Sequence, residues 1–364
     1  MLYLNWFPMK RSFYIFTPGR LKRKENTIYF LPYKDIEFNS NEYIDDELLF
    51  NDFDLDETDN KNKIVLPINE IDAFYIMTDV TLNSKFIYFC TQFNIPVHFF
   101  NFYGFYSGTF YPKEYLLSGK LLINQVKFYS NGSKRLNIAK LIVEGASYNI
   151  VKNLKYYNSR KVDLSSEILS IEQLMKDINS TFKIPELMGI EGNIRKIYYS
   201  TFDKIIGEEF SLLTRTFNPP NNPINALISF TNSLVYTAVI SEIYRTQLNP
   251  TVSYLHEPGE RRFSLALDIA EIFKPIFADR IIFKLLNNRQ IQSNDFDSKF
   301  NGVYLKESAR KLLVKEFDDK MKTIIKHKKI KKEVSYRRII RLECYKLIKH
   351  LLEDTEYEPF KIWW

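Results

Sequence analysis

The chain has 364 residues, 45% of them apolar, and a formal net charge of +7. Its two cysteines, Cys90 and Cys344, exclude a disulfide framework and fit a reducing cytoplasm, and no CxxC pair or His/Cys cluster suggests structural zinc. No run approaches 18 uninterrupted apolar residues and the first residues lack the pattern of a signal peptide, so no membrane segment is expected.

The first hundred residues are β-rich in pattern. Residues 12–17 (SFYIFT) predict a strand, Pro18-Gly19 a turn, and residues 27–30 (TIYF) a second strand after the charged run RLKRKEN. Residues 35–59 then hold eleven Asp or Glu and no Lys or Arg, too charged to bury, and predict an exposed loop. Residues 63–66 and 73–77 predict two more strands. Thr81 is placed to cap a helix reaching about Phe93, and residues 96–100 (PVHFF) return as a strand. The aromatic, two-glycine stretch FNFYGFYSGTFYP, to Pro112, reads as a hairpin or a linker.

Beyond it helical periodicity dominates from about Lys113 to Leu352. The expected architecture is α+β: a β-rich domain over 1–100 with its acidic loop, a hinge over 101–112, and a large all-α domain over 113–364. Without the acidic segment the chain carries +18, which favours a polyanionic partner, nucleic acid first; the plainer alternative is solubility. The many Phe and Tyr accompany frequent Lys, Asn and Ile, as A+T-rich coding gives, so most are assigned to the core rather than to base stacking.

Four stretches carry candidate chemistry. In SYLHEPGERRFSLALDIAEIFKP, Ser264 is placed to cap a helix ending at Lys274-Pro275. Asp268 and Glu271, three apart, share one face of that otherwise apolar helix. Two such acids need compensation, either by Arg261, Arg262 or Lys274, or by a divalent metal with His256 as nitrogen ligand. In ELMGIEGNIRKIYYSTF, Glu191 is read at a helix start, where it would complement the dipole, and Arg195 and Lys196, like Arg261 and Arg262 of the stretch above, are candidates for DNA contact. In RTFNPPNNPINALISFTNSLVYTAVISEIY, Asn225, Ser229 and Asn232 form a polar stripe read as scaffold. In the basic stretch from 326 to 341, Lys328, Lys329, Lys331 and Lys332 are either a solvated helix face or a surface that tracks phosphates.

The order GIEGNIRKIYY, PPNNPINALISF, YLHEPGERRFSLALDIAEIFKP strongly resembles the CRISPR-associated adaptation integrases, the family called Cas one. The opening GRLKRKENTIYF, the stretch VHFFNFYGFYSGTFYP and the closing PFKIWW extend the likeness over nearly the whole chain, with details like those of type I-B systems. The resemblance implies an N-terminal β domain, which serves dimerisation, and a helical catalytic domain. Family members tend to begin at the first strand, which makes Met9 the expected effective start and residues 1–8 an extension. It implies that Glu191, His256, Asp268 and Glu271 form the site, with Glu191, His256 and Glu271 as ligands of Mn2+ or Mg2+ and Asp268 close by. It implies a reaction in which the 3′-hydroxyl of a captured DNA fragment (a prespacer) attacks a phosphodiester at the edge of a CRISPR repeat, on double-stranded DNA. The partners implied are a second copy of the chain and the small protein called Cas two; whether a trimming nuclease joins them is encoded in none of these motifs. A metal-dependent nuclease of branched DNA in repair would use the same residues, and a non-catalytic DNA-binding scaffold is the third reading.

Overall fold

The computed structural model describes residues 10–33, 63–160, 162–212, 214–216, 219–259, 262–299 and 302–363. The expectations for residues 1–8, the acidic segment 35–59 and Arg261 fall outside these. The chain divides into two compact units, Met1–Tyr115 and Leu116–Trp364.

The first unit contains two four-stranded sheets. One runs in the order β1 (Arg11–Ile15), β5 (Ile71–Ile76), β7 (Val97–Phe100), β8 (Tyr106–Phe110); its first three strands are mutually parallel and β7–β8 is antiparallel. The other runs β4 (Ile64–Pro67), β3 (Thr27–Pro32), β2 (Gly19–Lys24), β6 (Val80–Leu82). Every residue of β5 is buried, as suits a parallel strand covered on both faces. Leu21, Ile28, Phe74, Phe86, Phe89 and Val97 form the core between the sheets and helix α1 (Ser84–Gln92).

Two local expectations are corrected here, and one open alternative is decided. The charged run after Gly19 is itself a strand, β2, because Leu21 points inward while its charged neighbours face outward and Arg23 lies over the Phe89 ring at 4.3 Å. Gly19 is needed there, since a Cβ would stand 2.5 Å from the Leu31 carbonyl oxygen. The cap of α1 is Asn83, whose side chain accepts from Phe86 N at 2.9 Å; Thr81 instead lies in β6 and bonds Tyr33. Of the two readings of FNFYGFYSGTFYP the hairpin is the one found: residues 101–110 supply the turn and second strand of the β7–β8 hairpin, with Asn101 Oδ1 accepting from two turn amides.

The second unit is helical: α2 (Gly119–Ser130), α3 (Gly132–Asn158), α4 (Ser165–Asp177), α5 (Ile184–Ser200), α6 (Phe202–Ile206), α7 (Pro223–Tyr244), α8 (Ser264–Lys274), α9 (Arg280–Asn287), α10 (Glu307–Lys322) and α11 (Tyr336–Leu351). Two small hairpins qualify the all-α expectation: β9 (Phe296–Lys299) with β10 (Gly302–Leu305), and β11 (Ile324–Lys326) with β12 (Glu333–Ser335). Helix α7 is long and apolar enough to cross a membrane by composition, but it is buried along nearly its whole length as the central helix, packed by α8 and α11. Asn222 caps it, and Asn225 and Ser229 hold the Arg215 guanidinium at 3.0 and 3.1 Å, a scaffold role for two of the three residues of that stripe; Asn232 Oδ1 is buried without a hydrogen-bond partner.

Helix α8 does not stop at Pro275. It passes through a π-helical turn, Pro275–Asp279, into α9. Proline has no N–H to give the preceding turn. Two buried asparagines of α3 meet carbonyls around this break: Asn149 donates to Ile272 O and Asn153 to Pro275 O, at 2.9 and 3.0 Å. Asn149 also binds the C-terminal tail through Phe360 O and Ile362 N. The tail presses on α3 at Gly145, where a Cβ would fall 2.6 Å from Pro359.

Candidate active site

Helices α5 and α8 bring Glu191 and Glu271 to one guanidinium, and α8 also holds Asp268 against His256 of the preceding loop. Glu191 lies in the middle of α5, not at its start. The helix begins seven residues earlier, with Pro185 in its first turn and Glu186 reaching back to the amides of Phe182 and Lys183. Dipole compensation therefore does not explain Glu191. Its partner is Arg195, one turn on, whose Nε donates to Glu191 Oε1 at 2.8 Å. The other edge of the same guanidinium donates to Glu271 Oε2 on α8, and Lys274 donates to Glu271 Oε1. Lys274 is thus the compensating cation among those proposed nearby, whereas Arg262 is exposed and lies over the Phe263 ring.

Glu271 is 8% exposed. Burial alone would raise its pKa, but Arg195 and Lys274 override this and hold it at about 2. It is a buried carboxylate kept ionised by side-chain cations.

Asp268, one turn earlier, is fully buried and met differently. Its Oδ2 accepts from the backbone amides of Tyr254 and Leu255 at 2.7 and 3.0 Å. Its Oδ1 accepts from His256 N at 3.0 Å and faces His256 Nδ1 at 2.8 Å. Asp268 thereby fixes both the loop that carries His256 and the ring itself, leaving Nε2 as the nitrogen able to meet another group. Burial lowers the pKa of His256, but the hydrogen bond and charge of Asp268, with Glu271 beyond, raise it overall. Ser264 does not cap α8: it is the first helical residue, and its hydroxyl donates to Thr251 O at 2.7 Å, tying the helix to the same loop. From the other side Arg135 of α3 donates to Tyr254 O and to Glu257, which also accepts from the Tyr129 hydroxyl.

Asp279, in the π turn, escaped the sequence reading. It is buried, accepts from the Tyr198 hydroxyl at 2.9 Å, and is raised to about 6 by burial against the opposing effect of Arg195. The signal that could have found it was an acid eight residues after Glu271 on a helix interrupted by proline.

Among the described residues no three His, Cys, Asp or Glu side chains stand close enough to hold an ion as they are. The donor chemistry nevertheless fits a hard divalent ion: two carboxylates share a single intervening cation, and beside them is an imidazole with its orientation set. Arg195 and Lys274 supply the positive charge that the carboxylates require.

Of the predicted DNA-contacting residues, Arg195 lies in this site and the lysines lie elsewhere. Arg195 is engaged by the two glutamates. Lys196 is exposed and lines a shallow groove between α4 and α5 with Leu169, Gln173 and Ser200. Lys328, Lys329, Lys331 and Lys332 are exposed at the tip joining β11 to β12, so the expected helix face is a hairpin. His327 shapes that tip by accepting from the amides of Lys329 and Ile330 through Nδ1, and its ring packs edge-on to Trp363. Arg337 and Arg341, in the same basic stretch, are paired with Asp318 and Glu242.

Comparison with known proteins identifies relatives over nearly the whole chain. The family model for CRISPR associated protein Cas1 matches residues 13–319. A CRISPR-associated endonuclease Cas1 of Fusobacterium nucleatum subsp. nucleatum is 49% identical over 356 residues, covering 98% of each chain. A solved Cas1 protein from Thermotoga maritima superposes with a TM-score of 0.80 at 38% identity, covering 95% of this chain and 99% of that one. A casposase bound to integration product shares the fold, with a TM-score of 0.80 at 19% identity over 97% and 94% of the two chains. The match of the family model over residues 13–319, with a 49% identical relative over nearly the whole chain, places this chain in the Cas1 family.

Proposed function

We propose that the chain is the integrase of CRISPR adaptation, of the type I-B kind, joining captured DNA fragments into a repeat array in the cytoplasm. The observation that carries this is the convergence of Glu191 and Glu271 on one buried cationic centre beside an oriented His256. The endonuclease name of the 49% identical relative and the integration product held by the casposase support it.

In the proposed reaction the 3′-oxygen of the fragment forms a new bond to phosphorus while the bond from phosphorus to the repeat's own 3′-oxygen breaks. The attacking hydroxyl loses its proton and the leaving oxygen gains one. One phosphodiester replaces another, so no ATP is required. Glu191, Glu271 and His256 Nε2 would hold Mn2+ or Mg2+, which when bound polarises the scissile phosphate. Asp268 keeps the imidazole aimed and its Nδ1 engaged. Lys274 stands beside Glu271 at the edge of the site, 17% exposed, where its ammonium can neutralise the charge that grows on the phosphoryl oxygens.

The DNA path would include the lysine tip between β11 and β12, and Lys196, through backbone contacts without base reading. The β-rich unit would carry the contacts of a homodimer, and the small protein called Cas two would bridge two dimers. A joining assay with the protein, that partner, Mn2+ and a repeat-bearing plasmid tests the reading: joined product is expected, and cleavage of branched DNA without joining would replace it with the repair-nuclease reading. Replacing Lys328, Lys329, Lys331 and Lys332 with Gln should lower the slope of log affinity against log salt, by about 0.9 for each phosphate no longer neutralised. An unchanged slope would return the tip to the solvent.

A further inference from the structure

The geometry points to Arg195 as a built-in counter-cation that holds the place between Glu191 and Glu271 and has to leave before a divalent metal can enter. This rests on the metal reading above and goes beyond it by assigning a resident competitor for the site. Both oxygens of Glu271 are taken, Oε2 by Arg195 and Oε1 by Lys274, and the Glu191 oxygen nearest the centre is taken by Arg195. The Arg195 side chain is 12% exposed, and those of Glu191 and Glu271 are 26% and 10% exposed.

Two carboxylates drawn to one point, one buried and one half-buried, repel each other unless a positive charge lies between them. A lysine there would be a point charge serving one carboxylate at a time. The planar guanidinium offers donors on separate edges, Nε to one glutamate and Nη2 to the other, so one residue bridges two helices. Arg195 sits one turn beyond Glu191 on α5, and rotation about its long side chain can withdraw the guanidinium without moving the helix. Metal binding is then an exchange of one cation for another. The apparent metal affinity is reduced by the small fraction of molecules in which Arg195 has swung out. Arg195 is in this sense a positioning residue: it sets how the site loads and keeps the two glutamates in register until it does.

The test is Mn2+ binding to the full chain without DNA, followed by titration calorimetry and by the loss of the free-ion electron paramagnetic resonance signal. Arg195→Gln removes the competitor and leaves the carboxylates facing each other. Its Mn2+ Kd should fall about tenfold, as when a competent state rises from roughly a tenth of the population to nearly all of it. Its metal-free Tm should drop, with Mn2+ restoring more of the Tm than it adds to the wild type. If the wild type binds Mn2+ and Arg195→Gln binds it equally or more weakly, Arg195 is no competitor and the inference is overturned. If neither protein binds Mn2+, the metal reading itself fails, and the inference with it. Should Arg195→Gln not fold, Arg195→Lys decides: an ammonium cannot span both glutamates, so binding should tighten by about threefold, and a Kd no lower than that of the wild type overturns the inference.

Discussion

Asp268 and Glu271 stand one turn apart on the same helix, and their surroundings are opposite in kind. Asp268 is met by three backbone amides and an imidazole nitrogen, Glu271 by the ends of two long cationic side chains. Backbone donors cannot turn away, so a carboxylate that satisfies them is committed to holding its loop. Cationic side chains can rotate off, so a carboxylate they satisfy is available to another cation. The difference separates a fixed acid from an exchangeable one, although sequence spacing treats the pair alike.

The largest effect that would test this contrast belongs to Glu271→Gln. On the proposed metal reading a neutral amide is a poor ligand for a hard cation, so joining in Mn2+ should fall below about one-hundredth of wild type, since even supporting partners of a metal site are worth 10- to 100-fold. Metal-free stability should drop by about 3 kcal/mol as Arg195 and Lys274 lose a buried counter-charge. Joining at the wild-type rate would make Glu271 an ion-pair partner and nothing more.

Asp268→Asn should act in the reverse proportion. The amide oxygen can still accept from Tyr254 and Leu255, but the amide nitrogen then faces the His256 amide, donor against donor. The cost should be about 2 kcal/mol of stability, measured by denaturant unfolding. Joining should weaken less than in Glu271→Gln, and imidazole NMR should report a mobile His256 ring.

The two halves should also part with pH in the metal-free protein. Glu271 titrates at about 2 in the fold against an ordinary value near 4.5, so what it contributes is present above the ordinary value and is lost as pH falls towards 2. His256 is raised, so its contribution is present below its ordinary value of about 6.5 and fades as pH rises through the folded value. The stability gap between wild type and Glu271→Gln should close on acidification, and that between wild type and His256→Gln on going to alkaline pH; gaps that move together would break the contrast.

The smallest effect expected is from Glu257→Gln, which removes the exposed clamp from Arg135. A stability loss of about 0.5 kcal/mol is expected, with faster amide exchange at residues 254–257. No change in exchange would assign the loop entirely to Asp268.

The β-to-helical order of the chain was legible because alternation and helical period report burial directly. Local details depended on competition that a pattern does not carry. GRLKRK is a strand on the strength of one inward leucine and a paired neighbour, β3. Thr81, Asn83 and Ser264 are all good caps by type, and only the path of the chain decided that Asn83 serves. Of the site, Glu191 with Arg195 and Glu271 with Lys274 were visible as neighbours along a helix. The link from Arg195 to Glu271, 76 residues apart, was not, nor was the capture of Asp268 by backbone amides. Both arise only when α5 and α8 pack side by side on α3 and the 254–256 loop folds back onto α8. Asp279 was hidden because Pro275 suggested an end to the helix rather than a wider turn.

That wider turn is, in length, an α-helix with one residue too many. Deleting a single residue within it would restore regular winding, and the helix beyond would be turned back by about 100°. The carboxylate at 279 would then swing away from the Tyr198 hydroxyl, and Asn149 and Asn153 would find the carbonyls they serve already claimed. A one-residue change in chain length here alters the angular phase between the half of the helix that carries Asp268 and Glu271 and everything after it, so this segment tolerates substitution more readily than a change in length.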